Sequence, residues 1–72
     1  MDSDVKQFLL DWVTMYGTDW VRQYELSEAM ANRGSKLARF LYDAGWLEVS
    51  ISKDSYRYRV TERGLDLLKQ EA

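Results

Sequence analysis

The chain has 72 residues, 46% of them apolar and 14% aromatic, with a net charge of −2 and neither cysteine nor histidine. That composition fits one small domain over 1–72 with enough apolar surface to fold, and it excludes disulfides, zinc fingers, thiolate nucleophiles and imidazole bases. No apolar run approaches the ~20 residues of a bilayer crossing, and Met1-Asp2-Ser3-Asp4 lacks the basic start of a signal peptide, so a soluble, cytoplasmic protein without metal or cofactor is expected.

The first element is a helix over 4–16. Val5, Phe8, Leu9, Trp12, Val13 and Tyr16 recur at helical spacing and form one apolar stripe. Ser3 or Asp2 can cap its start, and Gly17 can end it. Thr18 to Gln23 is short, with Trp20-Val21-Arg22 able to form a brief strand. A second helix is expected from about Tyr24 to Ala31, burying Leu26, Ala29 and Met30. Asn32-Arg33-Gly34-Ser35 reads as a turn, because these residue types form caps and turns. A third helix then runs to about Ala44, loosened at its start by Gly34 and burying Leu37, Phe40, Leu41 and Ala44. Gly45 supplies its left-handed cap, and Lys36, Arg39, Tyr42 and Asp43 face outward.

From Trp46 the apolar period becomes 2. Folding 46–60 as a hairpin sets Ile51 opposite Tyr56, Val49 opposite Tyr58 and Leu47 opposite Val60 on one face. Ser50 meets Arg57, and Glu48 meets Arg59, on the other. A slip by one residue would mix the faces, so this register is favoured, around either Lys53-Asp54 or a four-residue loop Ser52–Ser55. Thr61 caps a last helix with Leu65 and Leu68 inward, fraying at Glu71-Ala72.

The stretch Glu25 to Leu41 resembles the helix-turn-helix of MarR-like and ArsR-like winged-helix regulators. Leu26, Ser27, Met30 and Ala31 stand at that motif's apolar and small positions, and Leu37, Phe40 and Leu41 at its later buried ones. Ala44-Gly45-Trp46-Leu47-Glu48-Val49 is similar to the family's entry into the wing. Tyr58-Arg59-Val60-Thr61-Glu62-Arg63-Gly64-Leu65 is similar to its exit. The resemblance covers about 22–70. It implies an α+β winged helix-turn-helix: a three-helix core, a two-stranded wing and a C-terminal helix.

It also implies a transcriptional regulator of double-stranded DNA rather than an enzyme, acting at an operator. A homodimer on a two-fold site is the expected mechanism, although the chain departs from MarR-like proteins in lacking the long extra helices through which they dimerise. A helix over about 33–44 would lie in the major groove and the wing over about 46–60 on the backbone or minor groove. Lys36, Arg39 and Tyr42 would face DNA from the helix. Arg33 and Ser35 at its start would hold phosphate. Lys53 and Arg57 would act from the wing, and Arg59 less, being opposite Glu48. Charge is segregated to suit this: residues 32–60 balance to +3, against −4 for 1–31 and −1 for 61–72. A regulator so small suits a phage or mobile element. The alternative function is a winged-helix module for protein–protein contact, for which Trp20, Tyr24 and Trp46 would have to be exposed. The expected place of Trp12, Trp20 and Trp46 is otherwise the core or a sheet edge.

Overall fold

The structure, a computed structural model, describes residues 2–70. Its elements are α1 (Asp2–Tyr16), β1 (Val21–Arg22), a 3₁₀ turn (Gln23–Glu25), α2 (Glu28–Asp43), β2 (Leu47–Ile51), β3 (Tyr56–Val60) and α3 (Glu62–Lys69). The three strands form one antiparallel sheet in the order β1-β3-β2. The fold is therefore α+β, with three α-helices and three strands. The fraying expected at Glu71-Ala72 lies outside the described residues. Ser3 lies inside α1 rather than capping it.

The apolar stripe of α1 forms the centre of the core. Val5, Phe8, Leu9 and Trp12 are fully buried, joined by Val21, Met30, Leu41, Leu47 and Val60. Trp12 meets Tyr16 edge-on at 5.0 Å and Tyr58 edge-on at 6.5 Å, so one indole links α1 to the sheet.

The expected helix, turn and helix over residues 24–44 are not formed. Residues 23–25 make a 3₁₀ turn, and α2 then runs unbroken through Asn32-Arg33-Gly34-Ser35. Two forces favour the single helix. Ser27 caps it, its hydroxyl accepting from the Met30 N–H at 3.2 Å, and Glu28 follows in the first turn where the helix dipole favours an acid. Met30, Leu37 and Leu41 also stay on one side of one helix, seven and four residues apart, across the supposed turn. Gly34, which costs a helix interior about 1 kcal/mol relative to alanine, sits where α1 crosses closely. A Cβ there would stand 3.3 Å from the Phe8 ring. Ala29 and Phe40, expected in the core, are exposed, because the stripe that decides burial is that of the longer helix.

The end of α2 is as expected. Gly45 adopts φ +73°, the Gly45 N–H donates to the Tyr42 carbonyl at 3.1 Å, and the Trp46 N–H donates to the Leu41 carbonyl at 2.9 Å. The hairpin pairs in the expected register, Leu47–Val60 through Ile51–Tyr56. Its loop is closed by the Ser52 N–H and hydroxyl, which donate to the Ser55 carbonyl at 3.1 and 2.9 Å. β1 adds a third strand, with Val21 opposite Tyr58 and Arg22 opposite Arg57.

All three helices lie on the sheet face that carries Val21, Leu47, Tyr58 and Val60: α1 through Trp12, α2 beside Leu47 and Tyr58, and α3 through Gly64 against Val60. Thr61 caps α3, accepting from the Gly64 N–H at 3.1 Å while its hydroxyl donates to the Gly45 carbonyl. Near the tip, the hairpin extends past its cover, leaving Val49, Ile51 and Tyr56 exposed on that face.

Candidate nucleic-acid interface

A helix whose far side is buried presents the remaining residues at helical spacing. On α2 the outward stripe is Asn32, Ser35, Lys36 and Arg39, all exposed. Neither Lys36 nor Arg39 ion-pairs with a carboxylate among the described residues. Their charges are available to a partner. Glu28 and Asp43, at the two ends, bound this basic stretch.

Tyr42 lies one turn beyond Arg39 and is partly exposed. Burial, and secondarily the neighbouring Tyr58, pushes its hydroxyl up to about 12, so it is a neutral donor at physiological pH. Ser35 and Tyr42 rim a cleft of about 230 Å³ between α2 and the sheet, floored by Phe8, Trp12, Leu47 and Tyr58.

Two of the expected helix residues have other placements. Ser35 is in the middle of α2, so its backbone N–H serves the helix ladder and no helix start is there to hold a phosphate. Arg33 turns toward α1. Its guanidinium donates to Asp11 at 2.8 Å and to the Met30 sulfur at 3.4 Å, and it lies 5.4 Å from the Phe8 ring centre. The same bond, with a second from Gln7, lowers the Asp11 carboxyl below its ordinary value. Arg33 therefore joins α1 to α2 instead of facing outward.

The hairpin divides its cations. Lys53 is at the exposed tip. Arg57 alternates with the inward Tyr56 and Tyr58, so it points from the outer face of the sheet, away from the helices. Arg59 shares that face, but its guanidinium is held by Glu48, with the Nε donor at 2.7 Å, and lies 4.3 Å above the Trp20 ring. The structure thus brings together Ser35, Lys36, Arg39 and Tyr42 on α2. It leaves Lys53 at the tip, Arg57 on a separate face and Arg33 half-buried against α1.

Two residues escaped the sequence reading. Asn32 joins the outward stripe because α2 is continuous; a helical wheel over 28–43 would have shown it. Arg22 stands directly opposite Arg57, a neighbour that only the β1–β3 pairing creates. Among the described residues no helix is long and apolar enough to cross a membrane. Family models, curated proteins and solved structures each yield no match to the chain.

Proposed function

We propose that the chain binds double-stranded DNA through the outward stripe of α2, as a winged-helix protein in which α2 is the recognition helix and the 3₁₀ turn stands where the preceding helix would be. The observation that carries this reading is the set Asn32, Ser35, Lys36 and Arg39, exposed together on one helix face, neither cation ion-pairing with a carboxylate among the described residues. A single helix fits a major groove about 12 Å wide, where arginine and lysine read guanine and asparagine reads adenine. Lys53 at the hairpin tip would add a backbone contact. The overall charge of −2 does not oppose this, because most carboxylates lie on α1, on α3 and in the loops. Acting as a regulator, the protein would occlude or mark an operator, with two copies on a two-fold site.

The test is fluorescence anisotropy on a mixed-sequence duplex across a salt series. Affinity should fall steeply with salt, since phosphate contacts release counterions. Replacing Lys36 and Arg39 together with alanine should weaken binding by about 1–3 kcal/mol for each contact that reads a base. Unchanged binding by that double variant removes α2 from the interface.

A second reading, a protein-binding module, rests on the exposed hairpin residues Val49, Ile51 and Tyr56 with Tyr24 nearby, of which Tyr24 is 72% and Ile51 68% exposed. The tryptophans divide: Trp12 is buried and Trp46 half-buried against the core, whereas Trp20 is exposed, with Arg59 over one face of its ring. This reading takes precedence if no duplex is bound even at low salt.

A further inference from the structure

The outer face of the sheet has no helix over it, and its residues form two cross-strand rows. In the first, Arg59 lies between Trp20 and Glu48 and is satisfied by both. In the second, Arg22 on β1 and Arg57 on β3 stand directly opposite each other, followed by Ser50 on β2. All three are exposed.

Like charges directly opposite on a sheet repel, because their Cβ atoms are only about 4.5–5.5 Å apart. Relief comes from the Arg22 side: the Tyr24 hydroxyl and, more weakly, the Glu25 carboxylate favour its charge. Among the described residues neither arginine ion-pairs with a carboxylate. Glu48 is engaged by Arg59, and Glu25 accepts from the Arg22 backbone N–H at 3.0 Å. The Arg22 guanidinium instead donates to the Tyr24 hydroxyl at 3.0 Å and lies 6.0 Å from that ring's centre. The result is a pair of exposed cations on facing strands with one exposed ring, Tyr24 at 72%, against Arg22.

We propose that this face is a second nucleic-acid site, independent of α2, and that it takes single strands. Two guanidinium forks suit the oxygens of a phosphodiester, and an exposed ring beside them suits an unstacked base. In a duplex the base faces are stacked out of reach, so the aromatic contribution is available only to a single strand. Guanidinium is the right cation for this, since its planar fork binds phosphate at two points and also stacks on rings.

The experiment uses the full chain and a labelled oligothymidine, followed by anisotropy across a salt series. An abasic oligonucleotide of the same length and the mixed-sequence duplex serve as comparisons. The native protein should bind oligothymidine, and bind the abasic strand several-fold more weakly. Arg22→Gln with Arg57→Gln should lose at least tenfold toward oligothymidine and lower the salt slope by about 1.4, the share of two phosphate contacts. The same variant should keep its duplex affinity and melt no lower than the native protein, because a repulsive pair has been removed. Tyr24→Ser should weaken oligothymidine binding roughly tenfold. Lys36→Ala with Arg39→Ala should do the reverse, losing duplex and keeping single strand, so the two sites fail separately. Equal binding of abasic and thymidine strands, an unaffected arginine double variant, or a melt well below native for that variant would each overturn the proposal.

Discussion

At the scale of single residues, the structure separates charges that hold the fold from charges that are free to meet a partner. Arg33 and Asp11 belong to the first kind. Because Arg33 lowers the Asp11 carboxyl in the folded state, the pair contributes stability above the unfolded carboxylate range, and the contribution is lost as pH falls through the folded value. Thermal melts of Asp11→Asn should lie below native at neutral pH, and the gap should narrow on acidification. Tyr42 has the opposite sign. Its hydroxyl, raised from 10 to about 12 chiefly by burial, keeps its proton better in the folded state. Stability tied to it is complete below pH 10 and erodes between there and pH 12. Tyr42→Phe should flatten that alkaline decline, leaving a residue from Tyr58, which burial also raises.

At the scale of elements, the instructive case is α2. Asn32, Gly34 and Ser35 favour turns taken one at a time, and a sequence read by local propensity breaks the helix there. Propensity is worth tenths of a kcal/mol to about 1 kcal/mol per residue, whereas burying one leucine is worth roughly 1.5–3 kcal/mol. Met30, Leu37 and Leu41 are kept on one face only by a continuous helix, so packing decides. Ser35→Pro tests this directly. At the first position of a helix proline is tolerated, but inside one it costs about 3 kcal/mol or more. Chemical denaturation should show the larger loss; a near-neutral effect would restore the turn. The hairpin was legible for the complementary reason. Its alternation of apolar and polar residues admits only one register that keeps the faces apart, and the pairs from Leu47–Val60 to Ile51–Tyr56 follow it.

At the scale of the whole molecule, folding and proposed function use different surfaces. The core is built from α1, the inner sheet face and the inner side of α2. The outward stripe of α2 and the outer sheet face contribute little to it. The Lys36 and Arg39 double alanine variant should therefore melt within a degree or two of native while losing duplex affinity. A large drop in its melting temperature would mean that these side chains support the fold. Charge follows the same division. The balance of +3 over residues 32–60 was visible in the chain, but it is spread over surfaces pointing different ways, with Arg33 against α1, Arg59 on Glu48, and Arg57 beside Arg22.

By itself the sequence determined the stripe of α1, the end of α2 at Gly45, the register of the hairpin, the Thr61 cap and the exposure of Lys36, Arg39 and Lys53. Each of these depends on neighbours a few residues away, or on a period that one strand pair repeats. The tertiary structure alone decided the unbroken α2, the engagement of Arg33 by Asp11 on α1, and the pairing of Arg22 opposite Arg57. Those depend on elements far apart in the chain: Asp11 and Phe8 lie 22 and 25 residues before Arg33, and β1 reaches β3 across the length of α2 and β2. Local propensities are small and additive, while a shared core is cooperative, so where the two disagree the side chains go where packing sends them.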